Sequence, residues 1–223
     1  MINKDKLVIF DWGGIVFNFQ AEEELLQMWQ NVTDKLGIKV SKEFLQRWRD
    51  WDFDMTTKDT RKINSDFQRV LKLAGINADN STIKHTRLIV EEEIKKSPRH
   101  EKVADFINKL IISDRCLVGV LSNLSVCYAP AIATQLPLSA FDFVWLSFEL
   151  GCEKPNDEIY KKVEAECQIK PENILFFDDS SENIAAAQKR GWNVFLIDET
   201  LDEDLRVKQI SQTIDNFLSD KKD

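Results

Sequence analysis

The chain reads as an α/β protein, a doubly wound and mainly parallel sheet with a block of helices inserted near its start. Three observations predict this. Short apolar runs rich in β-branched and aromatic residues recur along the chain, amphipathic helical patterns separate the later ones, and between the first run and the second the pattern is helical throughout.

The first run, "LVIF", ends at Asp11, after which Gly13 and Gly14 allow a tight turn. Leu25, Trp29, Val32 and Leu36 then share one helical face before Gly37. Ser41 precedes Phe44, Leu45 and Trp48. Ile63, Phe67, Val70 and Ala74 line a third helix before Gly75, and a fourth run through Ile83, Val90 and Ile94 stops at Pro98. A parallel crossover needs only about a dozen residues. Residues 19–97 are therefore expected to form a helical insert, with 1–18 and 98–223 forming the α/β core.

The core resumes with a helix from about Glu101 to Ile112, whose Val103, Phe106, Ile107 and Leu110 face inward. Strands follow at "CLVGVL" ending on Ser122, "FVWLS", "ILFF" ending on Asp178 and "VFLI" ending on Asp198. Between them lie a helix through Ile159, Val163 and Cys167 and the segment "SENIAAAQKRG", where Ser181 can cap the start and Gly191 the end. Ile210, Ile214, Phe217 and Leu218 stand at helical spacing and are expected to cover the sheet.

Thirty Lys and Arg against 38 Asp and Glu leave a formal charge of −8. That balance argues against nucleic acid and anionic membranes as partners. The N-terminal apolar run is too short for a signal peptide, and no stretch is long enough for a membrane helix, so a cytoplasmic protein is expected. The four cysteines form no C-x-x-C pair and lie far from the two histidines. They read as reduced, small apolar residues rather than as a zinc site.

In an open parallel sheet, ligands bind beyond the carboxyl ends of the strands where strand order reverses. Asp11, Ser122, Asn123, Lys154, Asp178 and Asp179 all follow or close apolar runs and would converge there. Carboxylates that close together require a cation or raised pKa values. With oxygen ligands only, Mg²⁺ is the natural ion, and Lys154 adds positive charge for an anionic substrate. This is a set suited to phosphoryl transfer. Taken singly the residues have plainer readings: a turn cap for Asp11, turn chemistry for Ser122 and Asn123, a solvated Lys154, a helix N-terminal charge for the Asp pair.

Together, "VIFDWGGIV", "VGVLSN", "GCEKPNDEIY" and "ILFFDDSSENIAAA" resemble, in order, the four motifs of the haloacid dehalogenase superfamily. The resemblance spans nearly the whole chain. It implies Asp11 as nucleophile forming an aspartyl-phosphate, and Lys154 and Ser122 holding phosphoryl oxygens. It further implies Trp12, Gly13 and Asn123 lining the substrate site, and Asp11, the Gly13 carbonyl, Asp178 and Asp179 as Mg²⁺ ligands. Asn183 is expected behind the metal ligands, or else facing solvent from its helix. A mobile helical cap and a small phosphorylated metabolite as substrate are implied as well. The chain departs from the pattern at Gly13, where most family phosphatases carry a second Asp that serves as general acid and base, a function worth roughly 10²–10⁴-fold in rate. The opening is similar to that of the α-D-glucose-1-phosphatase-like subgroup, in which Gly also stands there, and an anomeric leaving group needs less acid assistance. The alternatives are a slow or non-catalytic sugar-phosphate-binding protein, and a phosphonate or carbon–halogen hydrolase using the same Asp11. In the insert, "QRWRDWDFDM" offers Trp48, Trp51, Phe53, Arg47 and Arg49 as core residues or as substrate contacts.

Overall fold

The computed structural model describes residues 3–17, 22–39, 55–73, 75–96, 98–133 and 138–219. The segment from Ser41 to Phe53, with its aromatic and arginine cluster, lies outside the described residues, as does Ala74.

Five strands form one parallel sheet: β1 (Asn3–Phe10), β2 (Cys116–Ser122), β3 (Phe143–Leu146), β4 (Ile174–Asp178) and β5 (Asn193–Leu196), in the order β3-β2-β1-β4-β5. Alternate side chains go to opposite layers. Val8, Phe10, Leu175 and Phe177 join the cluster that includes Val103, Ile107, Ile210 and Ile214. Leu7, Ile9, Ile174 and Phe176 face Ile159, Tyr160, Val163 and Trp192 on the other side. The sheet is thus the middle of three layers, which explains why its central strands read as continuous apolar runs rather than as alternating ones. Gly119 in β2 allows close packing: a Cβ there would stand 3.0 Å from the ring of Trp145, which stacks on Phe143.

Helices α1 (Glu22–Lys35), α2 (Thr60–Leu73) and α3 (Asn80–Ile94) come between β1 and α4 (Glu101–Ser113). Trp29, Val32, Ile63, Phe67, Val70, Ile83, Val90 and Ile94 are buried, as their spacing predicts. Glu93 of α3, itself buried, accepts from Asn31 at 2.9 Å and Lys35 at 2.8 Å, tying α1 to α3. The chain leaves and re-enters the sheet region through adjoining segments. Phe17 and Arg99 form an antiparallel bridge, and the His100 amide donates to the Val16 carbonyl at 2.9 Å.

After β2 come the short helix α5 (Ala129–Ile132) and, after β3, the single turn α6 (Ser147–Leu150), neither of which the apolar pattern signals. Helices α7 (Asp157–Cys167), α8 (Ser181–Lys189) and α9 (Glu203–Ser219) complete the fold. The cap of α8 is Ser180, whose hydroxyl accepts from the Asn183 amide, and not Ser181, which is the first helical residue. The serine pair made both placements possible, and the extended backbone at Ser180 decides it. All four cysteines are buried free thiols. Among the described residues no helix is long and apolar enough to cross a membrane.

Candidate active site

Strands β1 and β4 lie side by side in parallel with Phe10 opposite Phe177, and the Asp11 amide continues the ladder to the Phe177 carbonyl at 2.9 Å. Asp11 and Asp178 therefore leave matched strand ends. On the other flank Phe10 pairs with Val120, which puts Ser122 at the end of β2, buried, on the same edge. Since the chain builds outward from β1 through β2 to β3 and then crosses back to β4, this edge is the point where strand order reverses.

The Lys154 ammonium stands between two carboxylates, 2.9 Å from Asp11 Oδ2 and 2.7 Å from Asp178 Oδ2, with only 3% of the residue exposed. Asn123 holds it there. The Lys154 amide donates to Asn123 Oδ1 at 2.8 Å, and Asn123 Nδ2 donates to the Lys154 carbonyl at 2.8 Å. One side chain thus pairs with a peptide in both directions, a positioning task that occupies the groups the sequence reading assigned to substrate.

Asp178 is fully buried and accepts from Lys154, from the Ser180 amide at 2.8 Å and from Asn183 Nδ2 at 3.0 and 3.1 Å. Those bonds make it the anchor of the group, and they place Asn183 inside the site rather than in solvent. Tyr160 in turn donates to the Asn183 carbonyl at 3.0 Å. Asp11 Oδ1 accepts from the Trp12 amide at 2.6 Å.

Burial is the main cause that pushes Asp11 up to about 7. Lys154 opposes it, while Asp178 and Asp179 add to it. Asp179 is also pushed up to about 7, by burial and then by the Glu199 carboxyl beside it. For Lys154, burial disfavours the ammonium, but Asp11 and Asp178 outweigh that and raise its pKa. The site as it stands carries more negative charge than one lysine balances.

A divalent cation fits this set. Asp11, Asp178 and Asp179 each bring a carboxylate oxygen within 4.8 Å of the others. The buried Glu199 carboxyl stands against Asp179 and adds a further oxygen close by. An all-oxygen set is that of a hard ion. Glu199, whose carboxyl lies beside Asp179, is a neighbour of the site that sequence reasoning had no cause to single out. Its only sequence signal is an acidic residue just after the "VFLI" run. Asp198 itself closes a local turn onto Thr200, at 2.9 Å to the amide and 2.6 Å to the hydroxyl.

The Gly13 carbonyl accepts from the Ile15 amide at 2.7 Å, and a Cβ at Gly13 would meet no described atom within 4 Å. Gly14 is the opposite case. Its φ is +67°, and a Cβ there would lie 2.4 Å from Asp179 Oδ2 and 2.6 Å from Glu199 Oε1. Trp12 presents its amide to Asp11, while its buried indole stacks on Phe17 with ring centroids 5.8 Å apart.

Comparisons with known proteins bear on the fold and the family. D-ribitol-5-phosphate phosphatase of Bacteroides thetaiotaomicron is 23% identical over 202 residues, 85% of this chain and 90% of its own. Among solved structures, the HAD hydrolase YfnB of Bacillus subtilis, described bound to magnesium, matches with a TM-score of 0.64 at 18% identity, over 87% of this chain and 89% of its own. A HAD family enzyme of Bacteroides thetaiotaomicron, described in complex with magnesium and inorganic phosphate, gives 0.60 at 20% identity, over 88% and 96%. The L-2-haloacid dehalogenase of Xanthobacter autotrophicus, with chloropropionic acid covalently bound, gives 0.63 at 18%, over 94% and 84%. At these identities the structural matches speak for the fold. The family of haloacid dehalogenase-like hydrolases matches residues 6–191, most of the chain, and the protein belongs to that family of hydrolases.

Proposed function

We propose that the chain is a Mg²⁺-dependent phosphatase that hydrolyses a small phosphorylated metabolite through an aspartyl-phosphate on Asp11. The observation that carries this reading is the Lys154 ammonium held between Asp11 and Asp178 with Asp179 alongside, in the crevice where ligands of such sheets bind. Asp11, Asp179 and the Gly13 carbonyl would hold the ion, with Asp178 bracing them. When bound, Mg²⁺ neutralises charge on the phosphoryl group and on the acids around it.

The rest is the work of the chain's own residues. Lys154 favours the ionised form of Asp11 and offers its charge to the phosphoryl oxygens, with Ser122 and the Gly13 amide as further donors, while the Trp12 amide holds Asp11. An Asp11 oxygen attacks phosphorus, the bond to the substrate oxygen breaks, and that oxygen takes a proton from solvent water on leaving. Water then cleaves the acyl-phosphate, releasing inorganic phosphate and restoring the carboxylate. No side chain at Gly13 can hand over the proton, so substrates whose leaving oxygen is already a good leaving group are favoured, sugar 1-phosphates among them. The insert of residues 19–97 acts as the cap on a core of 1–18 and 98–223. A bond from Ser147 Oγ to the Met55 carbonyl, 2.6 Å, supports this reading. Small metabolites of the cytoplasm are the expected partners.

The test is phosphate release from p-nitrophenyl phosphate, glucose 1-phosphate, glucose 6-phosphate and ribitol 5-phosphate, with Mg²⁺ or EDTA, for wild type and Asp11→Asn. Metal-dependent release that the substitution abolishes supports the reading. Tight sugar-phosphate binding without release would point to a binding protein, and halide release from 2-chloropropionate without Mg²⁺ would point to a dehalogenase. Either result overturns it.

A further inference from the structure

Beyond residue 191, where the family match ends, α9 sends one charged side chain back into the molecule. Arg206 is buried, with 6% of its surface exposed. Its Nε donates to the Leu201 carbonyl at 2.9 Å, one terminal nitrogen reaches the Gly14 carbonyl at 3.4 Å and His100 Nε2 at 3.0 Å, and the other donates to the Glu199 carbonyl. Arginine has donors only, so the facing His100 nitrogen accepts and the ring proton sits on Nδ1, 3.7 Å from Glu203. Glu203 also accepts from the Lys102 amide at 2.7 Å, which ties the start of α9 to the start of α4.

Four acceptors on three separate segments therefore meet one planar fork: the loop after the nucleophile, the return of the insert, and the loop after β5. A lysine could not serve all of them. Carbonyls and an imidazole are poor compensation for a buried cation, so joining loops is a costly use of this group unless their placement matters. Their placement does matter, because two of the segments press on Asp179. The Asp179 and Glu199 carboxyls crowd the Cα of Gly14 so closely that a methyl group there would overlap both.

We propose that Arg206 is a positioning residue that sets the affinity of the site for its divalent cation, by fixing Gly14 and Glu199 against Asp179. It touches neither substrate nor ion. The inference rests on the Mg²⁺ reading above and extends it to a residue outside the family's matched stretch.

The experiment is calorimetric titration of Mg²⁺ into the metal-stripped full chain, for wild type, Arg206→Lys, Arg206→Met and Ile210→Val, with far-ultraviolet circular dichroism as the check on folding. Ile210 is a buried residue of the same helix and serves as the control for stability alone. Both Arg206 variants should bind Mg²⁺ roughly 10–100-fold more weakly, the scale of lost outer-shell support. Ile210→Val should bind as wild type does. In turnover assays the Mg²⁺ concentration for half activity should rise for Arg206→Lys while the rate at saturating Mg²⁺ recovers. Folded Arg206→Lys with wild-type affinity, or equal losses in Arg206→Lys and Ile210→Val, would overturn the proposal, and Arg206→Lys decides the matter if Arg206→Met does not fold. Wild type that binds no Mg²⁺ would overturn the reading beneath it instead.

Discussion

Adjacent glycines should respond to alanine with opposite signs. At Gly14 the backbone is left-handed, φ +67°, which costs an L residue roughly 1–2 kcal/mol. The added methyl must also displace its neighbours. Ordinary contact begins near 3.4 Å, so Asp179 Oδ2 has to withdraw by about 3.4 − 2.4 = 1.0 Å and Glu199 Oε1 by about 3.4 − 2.6 = 0.8 Å. Overpacking of that kind costs about 1–3 kcal/mol, giving about 2–5 kcal/mol in all. At Gly13 the same methyl meets no described atom within 4 Å and no left-handed strain. Fewer unfolded conformations should leave Gly13→Ala neutral, or stabilised by up to about 1 kcal/mol. Urea unfolding of both variants in EDTA measures the difference directly, and a Mg²⁺ titration should show Gly14→Ala alone weakened. If Gly14→Ala proves as stable as Gly13→Ala, the packing of Gly14 against Asp179 and Glu199 is wrong, and the support assigned to Arg206 falls with it.

Three further results are expected. In EDTA, stability should fall as pH rises: Asp11 has a folded pKa of about 7 against 3.8 unfolded, so its contribution is complete below about pH 4 and lost through pH 7. The full shift of 7 − 3.8 is about 4 kcal/mol for one such group, of which the part from pH 5 to 7, about 3 kcal/mol, should appear as a drop between urea unfolding at pH 5 and at pH 8.5 that saturating Mg²⁺ removes. Lys154→Met leaves Asp11 and Asp178 facing each other without their cation. It should cost about 3–5 kcal/mol in metal-free protein and abolish phosphate release, as denaturation and turnover together would reveal. Gly13→Asp enters open space where a general acid is missing, so hydrolysis of glucose 6-phosphate should rise by at least about tenfold while that of p-nitrophenyl phosphate, whose leaving group needs no proton, changes little.

Much of the site was legible in the chain because parallel strands end where ligands bind. An apolar run that stops on Asp11, Ser122 or Asp178 marks both the strand and its functional end, and the order of the runs implies the sheet. The buried faces of α2 and α3 were equally plain, since Ile63, Phe67 and Val70, or Ile83, Val90 and Ile94, repeat at the helical period. What no spacing could show is which polar groups meet. Asn123 reads as a substrate contact or a turn residue, and its amide clasps the peptide of Lys154. Asn183, three residues into a helix, turns inward to Asp178.

Local pattern determined the elements of this protein, the insertion after the first strand, and the acids and lysine at the strand ends, because periodicity and termination are properties of neighbours in the chain. Only the tertiary structure decided that Glu199 stands against Asp179 and that Arg206, 192 residues from Gly14, grips its carbonyl. Those contacts join loops that the sequence keeps far apart, and an exposed acid or a helical arginine carries no local mark of the partner that burial will give it.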